Sequence, residues 1–231
     1  MPVVKRILCL ANSRKLNGRC LAGKQFGGTA AGTWVRPVGA REHGEVSEYE
    51  RQYEDGSDPR VLDLIDVPLI GPQPREFQQE NWLLDPDHYW VKAGRATWSD
   101  LTRLADRTEP LWIDGIHTNN GLNDKIPLAS VGSVRTSLRL LHVSTLGISV
   151  LKPGEAFGNP KRRVQGRFNY GGKEYRLWVT DPVYERVFLA KPDGDYRLGQ
   201  SFLTVSLGEP YQDACYKLIV AIIERDGGTR R

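Results

Sequence analysis

From Met1 to Arg41 the chain carries eight basic residues and neither aspartate nor glutamate. Asn12, Ser13, Arg14 and Lys15 follow an apolar run, Arg19 and Lys24 stand among glycines, and Trp34 and Arg36 lie in a second apolar run. Cationic groups, small polar donors and exposed backbone N–H are what phosphate oxygens require. Trp34 adds a flat face on which a base can stack. These eight residues form the first candidate nucleic-acid surface. The competing reading is a buried strand with a solvated basic edge, the usual fate of a charge run.

A second cluster interleaves cations and aromatics: Lys161, Arg162, Arg163, Arg167, Phe168, Asn169, Tyr170, Lys173, Tyr175, Arg176 and Trp178. Lys161, Arg162, Arg163, Arg167, Tyr170 and Arg176 are its candidate nucleic-acid contacts. Strand alternation puts Arg167 and Asn169 on one side and Phe168 and Tyr170 on the other, so one pair belongs to a core.

Hydrolytic and metal chemistry have weaker support. His43, His88, His117 and His142 are scattered, and Asp85-x-Asp87-His88 and Asp114-x-x-His117 are the local carboxylate–histidine groupings. Cys9, Cys20 and Cys215 form no CxxC pair, which argues against structural zinc and for reduced thiols, two of them buried in strands. No nucleophile-elbow, zincin or phosphate-loop pattern occurs. No catalytic residue, metal ligand or cofactor is therefore expected. Gln79-Glu80-Asn81-Trp82 offers base-reading amides and a stacking ring, or a structural turn with Trp82 as a core anchor, which is the favoured reading.

Charge is distributed in blocks. The net charge of +4 at pH 7 conceals +8 over residues 1–41, −10 over 42–128 and +6 over 129–231. Two basic segments thus flank an acidic one, a pattern suited to a polyanionic partner. No apolar run reaches the ~18–20 residues of a membrane helix, and residues 7–11 are too short for a signal-peptide core. The expectation is a cytoplasmic protein with no membrane contact.

The elements that must position these residues read as mostly β. Strands are expected over residues 3–10, 33–38, 61–70 and 88–91, with residues 12–24 as loop or short helix. Pro68 makes the third strand an edge or bulged one. Thr97 can N-cap a helix over residues 98–104. A Gly/Asn-rich stretch from Gly115 to Gly132 suggests a boundary, giving an N-terminal OB-like β domain over 1–130, with a basic loop and an acidic insertion, and a C-terminal OB-like barrel over 131–231. In the second half, residues 137–151 read as one long strand in which Gly147 suggests a bend or a close backbone approach. Gly171-Gly172 joins strands 164–170 and 175–181 into a hairpin. A helical turn follows at 183–190, then a turn at Lys191–Gly194 and strands at 202–207 and 216–223. That order matches a five-stranded OB barrel, with an SH3-like or other small barrel as the alternative. No residue-level repeat relates the halves.

The runs Cys9–Lys15, Gly18–Gly23, Trp34–Pro37, Gln79–Asn81, Ala190–Gly194 and Ser206–Pro210 resemble the bacterial dual OB-containing domain family over nearly the whole chain. The resemblance implies two small OB-like barrels in tandem, with few short helices, and nucleic-acid binding without defined catalytic residues. The expected activity is non-catalytic recognition of single-stranded DNA or RNA, as part of a bacterial defence or DNA-transaction system with a neighbouring effector protein. Two alternatives stay open: a metal-dependent nuclease or nucleotide-processing enzyme using carboxylates of the acidic segment, and a protein-interaction adaptor.

Overall fold

The computed structural model describes residues 2–107 and 109–225. The chain divides into two compact units, residues 1–104 with 135–137 and residues 105–134 with 138–231. The division falls earlier than the boundary expected near residue 130. Among its described residues the segment from 105 to 134 contains one short strand and one short helix, and it packs with the second unit through Leu111 and Trp112.

The first unit runs β1 (Val3–Lys15), β2 (Gly18–Gln25), β3 (Trp34–Val38), α1 (Glu48–Arg51), β4 (Asp63–Pro72), β5 (Asn81–Leu84), β6 (Val91–Arg95) and α2 (Trp98–Leu104). Residues 12–24, expected as loop or short helix, are a β-hairpin instead. Asn12 pairs with Leu21, Ser13 with Cys20 and Arg14 with Arg19, around a turn in which Leu16 adopts φ 49°. Ladder hydrogen bonds use the backbone, so a polar stretch joins a strand once a partner lies beside it. β1 also pairs antiparallel with β4, β2 with β3 and β5 with β4, while β3 and β5 run parallel. The strands therefore close as β1–β2–β3–β5–β4–β1. β6 adds to β4, whose bulges fall at Leu64/Ile65 and Leu69/Gly71. Pro68 sits where pairing to β6 has ended at Asp66 and pairing to β5 begins at Leu69, so its missing N–H breaks neither ladder. Ile7, Cys9, Leu21, Val35, Ile65, Val67 and Trp90 fill the interior.

Strand closure explains one glycine. A Cβ on Gly23 would lie 2.2 Å from the Leu8 carbonyl oxygen, a backbone atom that cannot move aside without opening the β1–β2 ladder. Gly23→Ala is expected to destabilise the unit by about 1–3 kcal/mol, as overpacking does. The reading is a lower urea midpoint at constant slope. An unchanged midpoint would show that the ladder yields at no cost.

The second unit runs β7 (Lys125–Pro127), α3 (Leu128–Val131), β8 (Leu138–Val143), β9 (Leu146–Leu151), a 3₁₀ turn (Glu155–Phe157), β10 (Arg163–Tyr170), β11 (Lys173–Val179), α4 (Pro182–Leu189), β12 (Gly194–Leu198), β13 (Ser201–Leu207) and β14 (Ala214–Glu224). The long strand expected over 137–151 breaks at Ser144–Thr145, not at Gly147, which stays within β9 opposite Arg167. Gly171 and Gly172 take φ 57° and 69°, the double left-handed conformation that a two-residue hairpin turn demands. Asp181 N-caps α4, accepting from the Val183 N–H at 3.0 Å, with Pro182 at the first helical position. Pairing runs β9–β10–β11–β14–β13–β8, with β11 and β14 parallel and β8 leading directly into β9. With β8–β9 counted as one bent strand, this is the same closed five-strand cycle as in the first unit. β12, which begins at the last residue of the expected Lys191–Gly194 turn and was not itself expected, adds to β9.

Candidate nucleic-acid interface

The expected surface of the first unit is largely interior. Lys24 is 3% exposed, and its Nζ donates to the Leu104 carbonyl at 2.6 Å and lies 5.2 Å from the half-buried Trp34 ring. Arg36 is also 3% exposed; its Nη2 donates to Ser137 Oγ at 2.8 Å and lies 3.4 Å from Glu80 Oε1. Ser13 is buried, and the Asn12 amide donates to the Pro59 carbonyl at 2.8 Å. These side chains serve the fold. Arg14 is exposed at the hairpin tip, with Lys15 and Arg19 half-buried beside it. The polar stretch at 79–82 is structural, as favoured: Glu80 and Asn81 are buried, and Trp82 packs on the core with Lys5 Nζ 4.0 Å from its ring.

The second cluster behaves differently. Phe168 lies in the core and stacks on Tyr175 at 5.4 Å, which turns Arg167 and Asn169 outward. The pairs Gln165–Trp178, Arg167–Arg176 and Asn169–Glu174 then form successive rungs of one outward face. Arg163 heads this face with its guanidinium carbon 4.0 Å from the Trp178 ring centre. Burial lowers the Arg163 pKa from its ordinary value. Glu174 lies 3.0 Å from Arg167 and 3.8 Å from Arg176, so two arginines share one carboxylate. Tyr170 does not belong to this face. It packs against the core, and its hydroxyl donates to the Asp106 carbonyl at 3.1 Å. Arg162 is also diverted, to Asp193 at 2.6 Å and to the Leu189 carbonyl at 2.8 Å, where it holds the end of α4. Lys161 is exposed.

Two aromatics escaped the sequence reading. Phe157, between β9 and β10, is 90% exposed, and Tyr211, between β13 and β14, is 65% exposed, 6.3 Å from Tyr216. The loop holding Phe157 leads into β10, at the end of the hairpin away from Gly171-Gly172, and the start of β14 pairs with β7. The signal for Phe157 was legible: an aromatic within Gly154-Glu155-Ala156-Phe157-Gly158-Asn159, where no apolar neighbour could make a core.

Beneath the hairpin lies a buried charged cluster. The Lys217 side chain is 0% exposed; its Nζ donates to the Ile113 carbonyl at 2.7 Å and to Asp114 Oδ1 at 3.2 Å. The Tyr175 hydroxyl donates to Asp114 Oδ2 at 2.8 Å. Burial pushes the Lys217 pKa down to about 8 against the opposing pull of Asp114, and burial with the Asp114 hydrogen bond pushes Tyr175 up. The sequence grouping Asp114-x-x-His117 is therefore split, since His117 is exposed. His88 Nδ1 lies 3.0 Å from Asp85. Among the described residues no group of three or more His, Cys, Asp or Glu could hold a metal ion. Cys9 and Cys215 are buried, Cys20 is half-buried, and none of the three is in a disulfide. No helix among the described residues is long and apolar enough to cross a membrane.

Two closed five-strand cycles of this connectivity, each with its third and fifth strands parallel, define a pair of OB-type barrels. Residues 5–222 match the family model for the dual OB-containing domain, and the chain belongs to that family. No curated protein and no solved structure matches it.

Proposed function

We propose that the chain is a recognition module for single-stranded nucleic acid and that the strand lies along the outward face of β10 and β11. The observation that carries this reading is the row Arg163, Trp178, Arg167 and Arg176, a ring and three cations on one face of an OB hairpin. Arginine and lysine side chains neutralise phosphates, while aromatic faces accept bases of any type. Phe157, in the loop that leads into β10, and Tyr211 are exposed rings that can offer bases further stacking faces. Arg14 and Lys15, on the first unit, offer a second cationic contact. A role as the nucleic-acid-recognition subunit of a defence or DNA-transaction system is compatible with this reading.

Phe157 gives the cleanest test because its ring is almost wholly in solvent. Phe157→Ala should leave the melting temperature unchanged yet weaken binding to a labelled single-stranded oligonucleotide by about 1–3 kcal/mol, the contribution of one stacked base. Fluorescence anisotropy on the wild type and the variant measures it. Unchanged affinity would remove Phe157 from the interface. Equal affinity of the wild type for duplex and single strand would defeat the single-strand reading.

A further inference from the structure

Building on the reading of the β10–β11 face as a single-strand site, we infer that the loop from His117 to Gly121 reads the edge of the base stacked on Trp178 and selects adenine. The loop is built onto the hairpin by both backbone and side chains. Leu122 pairs with Arg176 of β11 in both directions, at 3.1 and 3.0 Å. The buried Asn123 amide donates to the Glu174 carbonyl at 2.9 Å and its oxygen accepts from the Gly115 N–H at 2.6 Å. Buried Asp124 accepts from the Thr118 N–H at 2.8 Å and from its hydroxyl at 2.6 Å, and Thr118 Oγ1 accepts from the Gly121 N–H at 3.0 Å. Gln165 of β10, also buried, reaches across and donates to the Asn120 carbonyl at 2.6 Å.

That last contact sets the position. Gln165 is the cross-strand partner of Trp178, so Asn120 is fastened to the same rung as the stacking ring. Asn119 and Asn120 are both exposed, which leaves their amides available at the rim of that rung. A carboxamide presents a donor and an acceptor side by side, the complement of adenine N7 and N6–H₂. Stacking on Trp178 is tolerant of base type, so any discrimination must come from such an edge contact. A preformed loop can supply it without an ordering cost at binding.

The test uses labelled 12-mers of oligo(dA), oligo(dC) and oligo(dT), with their RNA counterparts as parallel arms. Wild type should bind the adenine oligomer about ten-fold more tightly than either pyrimidine, equivalent to about 1.4 kcal/mol. Asn119→Ala with Asn120→Ala should reduce that ratio to less than about three-fold, with affinity for oligo(dT) unchanged. Gln165→Leu, which frees the loop from its rung, should erase the ratio too, and Gln165 is then a positioning residue; melting curves check that both variants are folded. Equal binding of all bases by wild type would overturn the inference while leaving single-strand binding intact. A ratio the variants leave unaltered, or a preference for a pyrimidine, would overturn it as well. Failure to bind any single strand would bring down the underlying reading and this inference together.

Discussion

Asp114→Ala should destabilise the second unit by about 3–5 kcal/mol, because it strands a buried cation. The Lys217 side chain is wholly buried, and Asp114 is a carboxylate within hydrogen-bond reach of its ammonium. Urea unfolding of the variant measures the loss. Lys217→Met combined with Asp114→Asn should recover most of it, since the cation is gone and the asparagine oxygen still accepts from the Tyr175 hydroxyl. A loss below about 1 kcal/mol would mean that Lys217 is neutral in the folded chain.

The same cluster fixes a pH dependence. The folded pKa of Lys217, about 8, lies below its unfolded value of 10.5. Between those limits the unfolded chain holds the proton that the folded chain has released, so stability rises with pH across that window. Asp114 and Asp124 oppose the shift and Lys173 reinforces it. Tyr175 and Tyr53 act in the opposite sense. Burial raises both hydroxyls above 10.0, so above that pH the unfolded chain ionises first and stability falls. Melting temperature should therefore climb from pH 8 toward 10 and then decline. In the Lys217→Met variant the climb should vanish.

The second large effect concerns binding. Arg167→Ala with Arg176→Ala should flatten the dependence of log affinity on log salt by about 1.4, at about 0.7 for each phosphate contact on a single strand. Affinity should fall for all sequences alike, because phosphate contacts do not read bases. Glu174→Gln removes the carboxylate shared by the two arginines and should strengthen binding. Arg14→Ala with Lys15→Ala is the matched comparison on the first unit. If that pair flattens the slope and the Arg167/Arg176 pair does not, the strand follows the β1–β2 hairpin tip.

Much of the architecture was legible where local chemistry dictates it. Gly171-Gly172 announced the β10–β11 turn, and alternation the opposed faces of Phe168 and Arg167. Features fixed by distant partners were not legible. The strand character of residues 12–15 depends on β2, and β12 is a strand only because β9 lies beside it. The same holds for charge. Lys24, Arg36 and Lys217 look like surface cations in sequence, yet their partners are Leu104, Glu80 and Asp114, far along the chain. Burying a cation is tolerable only where partners converge on it, and a linear reading sees no convergence. Among the candidate contacts, Arg167 and Arg176 reach solvent while Lys24 and Arg36 are buried, and exposed Phe157 went unnoticed.

The short return of residues 135–137 to the first unit bears on how the protein is made. Arg36 and Glu80 leave the ribosome early, but the hydroxyl and N–H that complete their buried network belong to Ser137. The first barrel can close its strands once β5 has emerged, yet it reaches its final polar arrangement only after another fifty-odd residues of synthesis, by which point β7 and α3 of the second unit are already out. Completion of the leading barrel is thus tied to translation of the trailing one, and a chain released at Leu104 would carry a buried arginine and glutamate without the serine they share.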